Sequence, residues 1–354
     1  MAKKDSVSKE KQKVEKKLVT PLDGPYLQYQ NKRLLDFSSE DFLGLSKHPD
    51  VKKALLNIRF ASGIGTLSST FESLPQKQIE EKLANLLGFE KAFFFNSFSE
   101  VFSFLLTPES VVFSDQPTNI SQATHTFSSL DQLKTLLSKT KLPSNVVHII
   151  LVSSPSFDLK TLHSLAKEAR AVLCFNDKEH FGIAGKRGLG FGAQQKEVDC
   201  VIGSFEHASG APIAYIATSD TIFKEKPYVH PLIPSSLGAL DAILNILPDM
   251  DAERVQMEKH IGWLQGQLRE KGFSVSLGKT PKITISFSRE EAAERLWNFF
   301  IENDVMLGHL ETKQLSFSLT ALHTPDDLDQ LSTVLKKLSD TDFALSMQSS
   351  TPTP

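Results

Sequence analysis

Asp177, Glu179 and His180, with His207 further along the chain, are the side chains whose types could do chemistry together. A carboxylate beside an imidazole is a general acid–base pair, and a cluster of such groups can hold a metal ion. The spacing argues against the metal. None of the ligand intervals typical of zinc is present, and at a strand-to-loop junction Glu179 and His180 are expected to face opposite ways. Ser204 and His207 offer a nucleophile and a base, but no Gly-x-Ser-x-Gly elbow surrounds the serine. Gly182-x-x-Gly185 and Gly188-x-Gly190-x-Gly192 suggest a phosphate loop, yet no helix reading begins there, so they are read as a folded loop. No metal site is expected.

Two apolar strands must carry these residues, Ala171 to Phe175 and Val198 to Ile202, and the same kind of segment recurs along the chain. Further strand readings are Ala92 to Phe95, Val111 to Phe113, Val146 to Val152 and Ile213 to Ala217, alternating with helix readings such as Leu130 to Ser138 and Leu159 to Ala169. Alternation of this kind implies an α/β fold with a mostly parallel sheet covered on both faces. Beyond Pro234 the pattern changes to helices over Leu237 to Leu247 and Asp251 to Lys271, then to short strands and helices of an α+β unit. Phe273 to Leu277, Ile283 to Phe287 and Leu315 to Leu319 read as its strands, Glu290 to Glu302 and Pro325 to Leu338 as its helices. The expected division is a Lys-rich tail over 1–33, a large domain over 34–245 led by the segment 34–50, a small domain over 246–340 and a polar tail over 341–354.

Composition narrows the partners. A chain of 354 residues with 40% hydrophobic content can bury a large core, and a net charge of −3 gives no field to recruit nucleic acid. The Lys-rich start reads as a solvated tail rather than a basic arm or a secretory signal. Cys174 and Cys200 each sit inside an apolar strand, as buried reduced thiols do, which points to a cytoplasmic location. No apolar run reaches the ~18 residues a membrane span requires.

The stretch Asn176-Asp-Lys-Glu-His-Phe-Gly-Ile-Ala-Gly185, followed by Gly203-Ser-Phe-Glu-His-Ala-Ser-Gly210, resembles the α-oxoamine synthase family of pyridoxal-phosphate enzymes, which includes 8-amino-7-oxononanoate synthase. Asp41-Phe-Leu-Gly-Leu-Ser46, Ile79-Glu-Glu-Lys-Leu-Ala-Asn-Leu-Leu-Gly88 and Leu319-Thr-Ala-Leu-His-Thr-Pro-Asp-Asp-Leu-Asp329 carry the likeness to both ends of the fold. The resemblance implies the fold-type-I pyridoxal-phosphate transferase architecture: a three-layer α/β/α large domain with a mostly parallel sheet, plus a small C-terminal α+β domain. It implies a dimer, pyridoxal 5'-phosphate as cofactor, and a biotin-pathway type of acyltransfer that joins an acyl thioester to an amino acid with loss of carbon dioxide.

The positions that carry this chemistry in the family are changed. His207 stands at the Schiff-base lysine, Asn176 at the Asp that pairs with the pyridine nitrogen, and Glu179 at a His. Ser97-Phe98-Ser99 replaces the Ser-Gly-aromatic phosphate turn, and Asn119 replaces the His that stacks on the ring. The segment Leu307-Gly-His-Leu-Glu-Thr-Lys313 lacks the arginine that grips the substrate carboxylate. Ser204, at the phosphate-contacting hydroxyl, and Ser235 with Ser236, at the segment reaching the neighbouring subunit's phosphate, are retained types that also suit ordinary turns. The resemblance thus implies a catalytically silent relative that does not bind the cofactor covalently, as a homodimer or as the non-catalytic partner of an active paralogue. The alternative is an active acyltransferase of the same type.

Overall fold

A computed structural model describes residues 18–62, 73–118, 120, 123–144, 146–219, 231–276, 278, 280–311 and 313–338, apart from the side chains of 58–62, 123 and 309–311. The Lys-rich start and the polar end expected as tails lie outside the described residues, as does Asn119. In chain order the elements are β1 (Val19–Pro21), β2 (Tyr26–Tyr29), β3 (Lys32–Phe37), α1 (Pro49–Ser62), α2 (Leu74–Leu87), β4 (Lys91–Phe95) and α3 (Phe98–Leu105). Next come β5 (Val111–Ser114), β6 (Ala123–Thr126), α4 (Leu130–Lys139), β7 (Ile149–Val152), α5 (Leu159–Ala169), β8 (Val172–Asn176), β9 (Cys200–Ser204), α6 (Glu206–Ser209) and β10 (Ala214–Thr218). The chain closes with α7 (Pro234–Ile246), α8 (Asp251–Glu270), β11 (Lys282–Ser286), α9 (Glu290–Glu302), β12 (Val305–Glu311), β13 (Gln314–Ser318) and α10 (Pro325–Lys336).

The seven-stranded sheet has the order β4-β10-β9-β8-β7-β5-β6. Pairings from β9 through β6 are parallel, and β10 runs antiparallel to both its neighbours. This is the mostly parallel sheet the alternation implied. Strands β5, β7, β9 and β10 are buried along their whole length, which explains why they read as unbroken apolar runs rather than as alternating ones. Cys174 and Cys200 are register partners on β8 and β9, both buried and both free thiols.

The smaller sheet has the order β1-β2-β3-β12-β13-β11, so it joins the first strands of the chain to the last. Residues 19–37, read from sequence partly as tail and partly as the lead into the large domain, form three of its six strands. The parallel pairing of β3 with β12 sets Leu35 against Val305 and Phe37 against Leu307, all four buried. Such a pairing joins segments at opposite ends of the sequence, and local pattern holds no record of it. The strand expected over Phe273 to Leu277 is reduced to one bridge, Val275 to Ile285, while β12 and β6 form where no strand was read.

Helix ends follow their local signals. Ser73 caps α2 by accepting from the Gln76 amide at 3.4 Å, and the helix closes on Gly88 in the left-handed conformation. At α10, Thr324 and Asp327 form a reciprocal capping box, and the Asp327 carboxylate also accepts from the Tyr26 hydroxyl at 2.5 Å. That bond holds the last helix against β2. No helix among the described residues is long and apolar enough to cross a membrane.

Candidate functional site

At the end of β8 the chain turns back on itself, with the amides of His180 and Phe181 donating to the Asp177 carbonyl at 2.9 and 2.8 Å. Strand alternation still governs Asn176 and Asp177. The Asn176 carboxamide donates to the Ser153 hydroxyl at 3.3 Å beside a large cavity, whereas the fully buried Asp177 carboxylate points into the glycine loop. There it accepts from the Phe191 and Gly192 amides at 2.9 and 2.8 Å. Beyond Asp177 the turn replaces the strand, so Glu179 and His180 both line the cavity. Their side chains take different partners: the His180 imidazole lies 3.3 Å from the Asp177 carboxylate and edge-on to Phe191, whereas the Glu179 carboxylate reaches His207.

The glycine loop locks this turn onto α6. Gly182 has φ +92°, and a Cβ there would stand 2.5 Å from the Ala208 Cβ. Only a residue without a side chain lets the loop approach so closely. The buried Arg254 guanidinium donates to the Gly182 carbonyl at 3.0 Å and to the Leu247 carbonyl at 3.1 Å, which ties the loop to α8. Below it, Phe181 packs on Phe205 and Tyr215, each pair with centroids 5.0 Å apart.

This packing brings His207 to Glu179. The imidazole is 4% exposed; its Nε2 lies 3.0 Å from the Glu179 carboxylate and its Nδ1 4.0 Å from that of Glu40. The ring stacks on Phe42 with centroids 5.1 Å apart and planes 13° from parallel. Lys282, reaching over from β11, pairs with Glu40, so a row of polar side chains runs from the small sheet to the cavity edge. The imidazole beside Glu179 holds that carboxyl below the usual carboxylate range, against the opposing effect of burial.

The cavity, about 1230 Å³, lies outside the carboxyl ends of three parallel strands, where Ser114 ends β5, Ser153 follows β7 and Asn176 ends β8. That crevice is where open α/β sheets bind ligands. Phe98, Phe102 and Leu106 form its apolar wall, with the rings of Phe98 and Phe102 5.3 Å apart in an edge-to-face arrangement. Asp115 holds the Ser153–Ser154 backbone in place by accepting from both amides at 2.7–3.0 Å.

Of the positions singled out in the sequence, Phe98, Asn176 and Glu179 line this cavity, and His207 stands behind Glu179. Ser97 precedes α3 and its hydroxyl lies 3.0 Å from that of Ser99. Ser204 is consumed locally, donating to the Ile213 carbonyl at 3.3 Å and accepting from the Glu206 amide at 3.1 Å. Ser235 and Ser236 lie in the first turn of α7 and outside the cavity wall. Sequence reasoning missed Glu40, Phe42 and Lys282, which come from the opposite end of the fold and carry no local signal. Phe102 could have been found, since its spacing of four from Phe98 places both rings on one face of α3.

The fold and its crevice define the fold-type-I pyridoxal-phosphate-dependent transferases. A high-resolution structure of SPT with its PLP internal aldimine superposes with a TM-score of 0.78 at 18% identity, over 90% of this chain and 91% of that one. The 8-amino-7-oxononanoate synthase of Francisella tularensis does so with a TM-score of 0.66 at 22% identity, over 86% of this chain and 97% of that one. In sequence, the 8-amino-7-oxononanoate synthase of Gluconacetobacter diazotrophicus is 28% identical over 309 residues, 76% of this chain and 77% of that protein. No family model matches the chain. In sequence the chain is similar to 8-amino-7-oxononanoate synthases over most of its length, and its fold is the one the α-oxoamine synthases share.

Proposed function

We propose that this chain is a catalytically silent α-oxoamine synthase relative, acting as a non-catalytic subunit in a dimer with itself or with an active paralogue. What supports this reading is His207, which the sequence resemblance sets at the family's Schiff-base position and whose imidazole is packed between Glu179 and Glu40 and stacked on Phe42. An imidazole cannot supply the primary amine on which pyridoxal phosphate is carried. Other described residues also fail to fit that cofactor. Phe98 puts a benzyl group where the family's glycine admits phosphate, and the Glu100 carboxylate accepts from the Asn96 amide at 3.2 Å, at the helix end a phosphate would use. Asn176 offers a neutral carboxamide, already shared with Ser153, where protonation of the pyridine nitrogen calls for a carboxylate.

Dimer formation is supported by apolar side chains left open on three elements that pack together. Leu56 on α1, Leu74 at the start of α2 and Ile233 just before α7 are each at least half exposed. The apolar residues inside α7, by contrast, are buried within the chain.

The test is intact mass after incubation with pyridoxal phosphate and borohydride reduction. The expected result is no stoichiometric adduct; a single-site adduct on Lys178 or any other lysine would overturn the reading. His207→Lys alone is expected to give no thioester-dependent release of carbon dioxide from alanine, serine or glycine. The groups still missing at 119, 176 and 307–313 each cost roughly 10²–10⁴ in rate.

A further inference from the structure

We propose that the cavity at the carboxyl ends of β5, β7 and β8 binds an arylalkylammonium cation, its ammonium on Glu179 and its ring in the aromatic corner of Phe98 and Phe102. The donor set points this way. Among the described residues that line the cavity there is no lysine or arginine, and Glu179 is its one carboxylate. Two lysines of the surrounding network are engaged: Lys282 with Glu40, and Lys178 with Glu206 at 3.6 Å. Glu100 already supplies negative charge at the start of α3. A phosphate monoester would enter this field at a cost, and a cation would enter it favourably.

Glu179 is set up to receive such a charge. Its side chain is 61% exposed and borders the crevice, with the His207 Nε2 3.0 Å behind it. The Ser153 and Ser154 hydroxyls and the Asn176 carboxamide add neutral acceptors on the same floor. Aromatic selectivity follows from α3. The paired phenylalanines meet edge to face, and the Lys178 ammonium lies 5.4 Å from the Phe98 centroid, a distance at which the face of a ring attracts cations. The roughly 1230 Å³ of the cavity leaves room for substituents beyond a phenylethyl group.

The experiment is calorimetric titration of the full chain at neutral pH with 2-phenylethylamine, its neutral analogue 2-phenylethanol, and pyridoxal phosphate. The amine is expected to bind at least about tenfold more tightly than the alcohol, since a charge-assisted bond separates them. Glu179→Gln is expected to bring the amine to the level of the alcohol with the melting temperature unchanged, and Phe98→Ala to weaken both ligands. Failure of the amine to bind, equal affinities for amine and alcohol, or an unaltered amine affinity in Glu179→Gln would each overturn the proposal. So would pyridoxal phosphate that displaces the amine and binds more tightly. The inference goes beyond catalytic silence and fails separately from it: a chain with neither adduct nor amine binding sinks only this proposal, whereas a borohydride-stable adduct sinks the earlier one.

Discussion

The two faces of the β8–β9 junction differ in how closely their residues are packed. On the inner face Asp177, Gly182, Gly190 and Gly192 fit one another and Ala208 so closely that an added Cβ would collide with a neighbour. On the outer face Glu179 meets His207 at 3.0 Å beside a wide cavity that Asn176 also lines. Packing constrains the first by volume, and volume admits few substitutes. The second is packed less tightly, so substitutions there are expected to leave the fold intact.

The comparison is broken most severely by Gly182→Val. A β-branched residue at φ +92°, with its Cβ 2.5 Å from that of Ala208, combines left-handed strain with overpacking. Together these are worth about 4 kcal/mol, and urea denaturation is expected to show a loss of that order. If Gly182→Val melts like the wild type, the inner face is looser than its geometry implies.

His323 gives the next effect and tests whether a histidine of the framework differs from His207. It stacks on Phe37 at 4.3 Å, accepts from the Thr320 amide at 2.9 Å through Nδ1 and stands 3.1 Å from the Asp36 carbonyl through Nε2. Burial pushes its pKa down to about 4. The unfolded chain takes up a proton near pH 6.5 that the native ring refuses, so stability falls as pH drops from about 6.5 to about 4 and levels off below. The expected loss is about 3 kcal/mol, and the unfolding midpoint of His323→Asn should lack that pH slope.

Asp177→Ala comes third. It strands the amides of Phe191 and Gly192 in a buried site, at a cost of about 2 kcal/mol, read by chemical denaturation. Smallest is Glu179→Gln, expected within about 0.5 kcal/mol of wild type because the carboxylate is mostly exposed and its partner keeps its ring stack. In His207→Ala, the Glu179 carboxyl, followed by NMR titration, should move up toward the ordinary carboxylate range. A Glu179 titration unmoved by loss of the imidazole would show that the two faces do not differ as described.

The sequence alone determined the alternation of strands and helices, the parallel sheet and the glycine loop. Each of these is local: apolar runs, helix caps and glycines. Strand alternation also accounts for Asp177 facing away from Asn176, as adjacent residues on a strand do. Tertiary structure alone decided the rest. Where the strand stops, and with it the course of the chain through Glu179 and His180, is set by the hydrogen bonds of the turn at Asp177. The placement of residues 19–37 beside β12, and of Glu40, Phe42 and Lys282 around His207, joins segments hundreds of residues apart through pairing and packing. Contacts of that kind depend on which surfaces meet, and that is determined by the volume and register of the whole fold rather than by the residues flanking either partner.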